Sequence, residues 1–141
     1  MADRFPILRT VVLDTTDARS LAEFYRQLLG YVYRPGDEPP PPGQPDPSGA
    51  DWLVLRDDTG EARLAMQQTD QHDAPTWPDP QVSQQLHLDL TVPDVDELAR
   101  QRERVLALGG RQLLDRSADP DEPLYVFADP AGHPFCIFVA P

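Results

Sequence analysis

Apolar and polar residues follow one sequence of patterns twice along this chain. Residues Ile7 to Thr15 form a short apolar, β-branched run that predicts a strand, and TTDARS supplies an N-cap for the helix that follows. In that helix Leu21, Phe24, Tyr25, Leu28 and Leu29 recur at spacings of three and four, and Gly30 stands where a C-cap ends it. Tyr31 to Tyr33, Trp52 to Arg56 and Arg63 to Gln67 read as three further strands, the last two joined by the turn Asp57-Asp58-Thr59-Gly60. The pattern then restarts. Leu86 to Val92 alternates with period two, and Pro93-Asp94 opens a helix striped by Val95, Leu98, Val105, Leu106 and Leu108 that Gly109-Gly110 closes. Arg111 to Leu114, Leu124 to Phe127 and Pro134 to Val139 complete the second set, with Asp129-Pro130-Ala131-Gly132 as the matching turn.

Leu13 to Asp17 superposes on Leu90 to Asp94 at one constant offset, so the repeated unit is βαβββ. The expected fold is α+β: one domain over 1–141, with a first module at 7–68, a linker at 69–84 and a second module at 85–141. Two segments stand outside the repeat. Arg34 to Gly49 holds seven of the 17 prolines and predicts a loop, an insertion between strands rather than a polyproline docking peptide. Thr69 to Gln84 is polar and proline-broken, as a linker would be.

Charge and composition narrow the partners. With 24 acidic against 12 basic residues, the net charge of −12 repels phosphate backbones and anionic lipid, which disfavours nucleic acid and membrane partners. The chain has no lysine, which excludes Schiff-base and lysine general-base chemistry. Its one cysteine, Cys136, cannot form an internal disulfide, and MADRFPILRT has no apolar targeting core, so a cytoplasmic protein is expected. No phosphate loop, nucleophile elbow, Cys-x-x-Cys or His-Glu-x-x-His is present.

His87, Asp89 and Thr91 alternate with Leu86, Leu88, Leu90 and Val92, which places three polar side chains on one strand face and the apolar set against the helix. If Asp89 lies beside His87 it can orient the imidazole as a general acid or base; otherwise His87 simply hydrogen-bonds within the sheet. Thr10, Val12 and Asp14 form the corresponding face in the first half, with Asp14 either on that face or capping the helix. Trp52 and Trp77 offer flat apolar surfaces suited to a ligand pocket, or else fill core or cover a sheet edge. Cys136, between Phe135 and Ile137, reads as an inert small hydrophobe, His72 and His133 as solvated, and the Asp129 turn as structural.

The strings LDTTDARSLAEFYRQLLGY, HLDLTVPDVDELARQRERVLALGG and FADPAGHPFCIF, in that order, resemble the vicinal oxygen chelate superfamily of glyoxalase I, bleomycin-resistance proteins and extradiol dioxygenases. WPDPQVSQQLHLDL resembles its actinobacterial glyoxalase-like subgroup. The resemblance implies two curved mixed sheets around a cup-shaped cavity, and a homodimer. In metal-dependent members one ligand comes from the first and one from the last strand of each half. Carried over, these positions fall on Thr10, on Ala65 or Gln67 according to register, on His87, and on Cys136. Neither final strand contains Asp or Glu, and His87 with Cys136 falls short of the three protein ligands of a catalytic zinc. The resemblance therefore implies a degenerate metal site, with no cofactor and no metal ligands.

Three functions are weighed on these grounds. The first is a metal-independent binder of a small aromatic or hydrophobic compound, contacted by Thr10, Trp52, Gln67, Trp77, His87, Asp89 and Cys136. The second is a metal-free lyase, isomerase or dehydratase in which His87 and Asp89 are catalytic. The third, a metal-dependent glyoxalase or dioxygenase, is disfavoured by the missing carboxylates.

Overall fold

The computed structural model describes residues 5–140. It contains two four-stranded mixed sheets and two helices in an α+β arrangement, and the chain divides into two compact units after Asp70. Among the described residues no helix is long and apolar enough to cross a membrane.

In the first unit the elements run β1 (Val11–Thr15), α1 (Ala18–Leu29), β2 (Val32–Tyr33), β3 (Trp52–Arg56) and β4 (Ala62–Gln68). The sheet order is β1-β4-β3-β2, with β1 parallel to β4 and the other pairs antiparallel. Asp17 caps α1 by accepting from the Ser20 amide at 3.1 Å, and Gly30 ends it at φ +70°, a left-handed position that suits glycine. Leu21, Phe24, Tyr25 and Leu28 are buried as the periodicity predicts, packed towards β3 and β4. Asp14 is exposed. Gln68 Oε1 also accepts from the Ala18 amide at 2.8 Å, and Thr15 Oγ1 accepts from the Asp17 amide at 3.0 Å, so Asp17 shares the capping with Gln68 and Thr15. The expected first strand is shortened: the ladder with β4 begins at Val11, and Ile7 and Leu8 are 78% and 86% exposed. Strand propensity has no effect on residues that lack a pairing neighbour.

The proline-rich segment is irregular and tied down at both ends. Arg19 of α1 bonds the Asp46 carboxylate at 2.8 and 2.9 Å and the Asp37 carbonyl at 2.7 Å, and lies 5.0 Å from the Tyr33 ring centre. Buried Asp37 accepts from the Val54 amide at 2.9 Å, pinning the segment to β3.

The second unit repeats the design with β5 (Leu88–Val92), α2 (Val95–Leu108), β6 (Arg111–Arg116), β7 (Leu124–Ala128) and β8 (Pro134–Val139), in the order β5-β8-β7-β6. Leu88 and Leu90 of β5, Phe135 and Ile137 of β8, and Tyr125 and Phe127 of β7 share rows of the ladder. They form the face under α2, where Leu98 and Val105 are buried. The expected stripe on α2 is wider than the buried one: Val95 and Leu106 are exposed, because both are rotated to one side of the line through Leu98 and Val105 that meets the sheet. Strand β5 starts at Leu88 rather than Leu86, and Leu86 is 39% exposed. The partner strand begins at Pro134, which has no amide hydrogen with which to extend the ladder.

Both predicted turns are built alike. Asp57 Oδ1 accepts from the Thr59 and Glu61 amides, Asp129 Oδ1 from the Ala131 and His133 amides, and Gly60 and Gly132 each close the turn at positive φ. His72 and His133, expected to be solvated, instead stack with ring centres 4.8 Å apart, and His72 Nε2 lies 3.1 Å from the Ala131 carbonyl oxygen. The segment between the repeats belongs to the second unit, and both residues are half-buried.

Candidate functional site

The face of the second sheet opposite α2 carries the candidate chemistry. Parallel pairing sets Asp89 against Cys136, and antiparallel pairing sets Cys136 against Val126, so these three side chains form one row. His87, two residues before Asp89, precedes the strand on the same side, and its Nε2 stands 3.3 Å from Asp89 Oδ1. Together with Trp77, Gln84 and Pro134, the side chains of His87, Val126 and Cys136 line a cavity of about 240 Å³. Its walls are mostly apolar: an indole, a valine, a proline ring and a thiol.

Two groups in this cavity have defined electrostatics. Burial, then the neighbouring Asp89, pushes the Cys136 thiol above its ordinary value, with Glu122 acting in the same direction. The neutral thiol is therefore the resting form, in agreement with the inert reading of Cys136. Gln84 Oε1 is buried and has no hydrogen-bond partner among the described residues. An unmet buried acceptor costs about 1–3 kcal/mol.

The structure thus brings together Trp77, His87, Asp89 and Cys136. Trp52 and Gln67 are cross-strand partners in the first unit, where Gln67 also pairs with Asp14, and Thr10 sits one residue before β1. The register decides between the two first-half positions. Val12 pairs with Ala65 as Asp89 pairs with Cys136, so Ala65 is the counterpart of Cys136. The first-unit set of Thr10, Val12 and Ala65 carries no imidazole, carboxylate or thiol. Gln84, Val126 and Pro134 escape sequence reasoning, since Gln84 lies in a polar segment without periodicity and the other two read only as strand residues. The proline-broken surroundings of Trp77 were the one available signal.

The residues present offer donor types that suit a borderline divalent ion. One donor atom from each of His87, Asp89 and Cys136 lies within 4.8 Å of the others. Counting ligands from the family pattern omits Asp89 and stops at two; the sheet supplies a third. Imidazole, carboxylate and thiolate suit zinc, whereas magnesium, calcium and manganese favour all-oxygen sets. A zinc ion held by these residues would supply Lewis-acid polarisation of a ligand oxygen.

A family model described as a glyoxalase-like domain matches residues 10–138. No curated protein matches the chain significantly. Solved structures similar to it include a glyoxalase-related enzyme from Fulvimarina pelagi, 22% identical over 97% of this chain and 90% of that one, with a TM-score of 0.64. A fosfomycin resistance protein from Listeria monocytogenes is 14% identical over 97% and 95% of the two chains, with a TM-score of 0.66. A glyoxalase/bleomycin resistance protein/dioxygenase family enzyme from Burkholderia phytofirmans is 14% identical over 93% and 96%, with a TM-score of 0.65. Two tandem βαβββ modules and these likenesses define the vicinal oxygen chelate fold. Within that class the chain belongs to the glyoxalase-like domain family.

Proposed function

We propose that this protein is a metal-independent binder of a small aromatic or otherwise hydrophobic compound, held in the second-unit cavity. The observation that carries the reading is the cavity itself, walled by Trp77, Val126 and Pro134 with His87 beside them, which suits a ligand with an apolar body and one polar group. The volume of about 240 Å³ lies just under the usual range of roughly 300–1,000 Å³, so the compound is small. Trp77 supplies the stacking face, and His87, Asp89 and Cys136 the polar end. On the same reading the protein acts in the cytoplasm as a homodimer, with no nucleic-acid or membrane partner; light scattering on the purified chain tests the assembly.

Phenol and toluene, similar in shape and different in their donor, test the reading. With EDTA present, phenol should bind more tightly than toluene by calorimetry, and Trp77→Ala should weaken both. Failure of either probe to bind at millimolar concentration, or indifference to Trp77→Ala, overturns it.

A second reading rests on the 3.3 Å approach of His87 to Asp89: acid–base catalysis without metal, as in a lyase, isomerase or dehydratase, on a bound carbonyl or heterocycle. His87→Ala separates the two. An enzyme loses turnover and keeps affinity, whereas a binder changes affinity and turns nothing over. One of the solved neighbours, a mutant of the Listeria fosfomycin resistance protein, is complexed with Mn(II) and a dihydroxypropylphosphonic acid. The thiol and imidazole here disfavour transferring that ion to this chain.

A further inference from the structure

We propose that residues 72–84 form a strap latched onto the Asp129–His133 turn, and that this latch holds Trp77 in place as a wall of the second-unit cavity. The inference deepens the ligand-binding reading and rests on it for one consequence: His72, Ala74 and Gly132, which lie outside the cavity lining, are positioning residues for the captured compound. Three observations carry it. First, the cavity has walls of two kinds. Val126, Pro134 and Cys136 are held by the β7–β8 ladder, whereas Trp77 and Gln84 come from a segment outside the strands. Contacts other than sheet pairing must therefore fix the indole.

Second, those contacts are specific. His72 Nε2 lies 3.1 Å from the Ala131 carbonyl oxygen, and the His72 and His133 rings stack with centres 4.8 Å apart. Two residues on, Ala74 packs over Gly132 so closely that a Cβ at position 132 would stand 2.7 Å from the Ala74 Cβ. Thr76 then ties the loop into one body. Its amide donates to the Val82 carbonyl at 3.0 Å, its hydroxyl accepts from the Val82 amide at 2.9 Å, and its carbonyl accepts from the Asp79 amide at 2.8 Å. A displacement at Ala74 is accordingly carried into the compact loop that holds Trp77.

Third, the first repeat supplies an internal comparison. Gly60 occupies the same place in the Asp57 turn with the same left-handed backbone, φ +85° against +90°, yet among the described residues nothing beyond its chain neighbours lies within 4 Å of a Cβ built there. Turn geometry thus accounts for a glycine in both repeats and not for the contact with Ala74. Without the Ala74 methyl group, a Cβ at position 132 would meet only the Ala74 Cα at 3.5 Å, an ordinary van der Waals distance. One substitution can therefore break the latch and a second remake it.

Acrylamide quenching of fluorescence reads the position of Trp77 directly once Trp52→Phe leaves it as the single indole of the full-length chain. In that background Gly132→Ala and His72→Ala should each raise the quenching of Trp77. Adding Ala74→Gly to Gly132→Ala should return it to the parent value, and Gly60→Ala, which carries the backbone strain without the clash, should leave it unchanged. Circular dichroism checks the fold of each variant, and His72→Ala, which adds no backbone strain, decides the matter if Gly132→Ala does not fold. Calorimetry on the chain with Trp52 intact should show phenol held about fivefold more weakly by the two latch variants, the worth of one aromatic contact, and at parent affinity by the rescued pair. The proposal is overturned if the latch variants are quenched no more than the parent, if Ala74→Gly fails to restore Gly132→Ala, or if phenol bound by the parent is held as tightly by both latch variants. Latch-dependent quenching with phenol bound by no form sinks the ligand-binding reading and leaves the latch standing. Phenol bound equally by the parent and both latch variants, and weakened by Trp77→Ala, sinks this inference alone.

Discussion

Replacing Gln84 by methionine should make the protein more stable. The side chain keeps its length and flexibility while the carboxamide is exchanged for a thioether. In the free protein the buried Oε1 lacks a partner among the described residues, at a cost of about 1–3 kcal/mol that the substitution removes. A chain of 141 residues unfolds with an entropy of about 0.3 kcal/mol/K at roughly 2.1 cal/mol/K per residue, so each kcal/mol moves Tm by about 3 °C. The expected rise for Gln84→Met is about 3–7 °C, taking a relief of about 1–2 kcal/mol. Gln85, exposed next door, is the control, and Gln85→Met should shift stability by no more than about 0.5 kcal/mol. Thermal denaturation followed by circular dichroism in EDTA gives both values. A Tm for Gln84→Met that drops, or that matches Gln85→Met, would refute the reasoning, since the acceptor would then carry no penalty.

Arg19→Ala should destabilise the first unit by about 1–2 kcal/mol in urea, because charge-assisted bonds to Asp46 and the Asp37 carbonyl are lost in a half-buried setting. Arg19 holds the Asp46 carboxyl below its ordinary value of 3.8, so this contribution is present above that pH and lost as pH falls through the lower folded value. The variant should accordingly lose less stability on acidification than the parent. Gly132→Ala should cost about 1–3 kcal/mol, because its φ of +90° is left-handed and the new Cβ would sit 2.7 Å from Ala74 Cβ. Gly60→Ala, at φ +85° with open space around it, should cost about 1 kcal/mol, and equal losses at the two sites would count against the steric argument. Iodoacetamide should alkylate Cys136 more slowly than free cysteine at pH 7, its rate still climbing above pH 9.0, because burial and Asp89 favour the neutral thiol. A fast reaction at neutral pH would contradict that account.

The tandem βαβββ order was legible from periodicity alone, because a helix face recurs at three and four residues, a strand face at two, and aspartate and glycine mark the turns between them. Leu21, Phe24, Tyr25 and Leu28 are buried where the stripe puts them, and β3 runs over Trp52–Arg56 as read. Strand ends were not legible. Ile7 and Leu86 have the same local character as their neighbours, yet a strand extends only as far as a partner can pair with it, and Pro134 cannot. The alternation of His87, Asp89 and Thr91 identified the polar face, but alternation says nothing about which residue of another strand lies opposite. Only the ladder sets Asp89 against Cys136 and makes Ala65 the counterpart of that cysteine. The cavity is still further from local pattern, since Trp77 and Gln84 reach it from a segment without periodicity. Sequence determines how each element distributes its apolar and polar side chains, since that depends on neighbours along the chain. Tertiary structure decides which distant side chains meet, since register and packing are properties of pairs of strands.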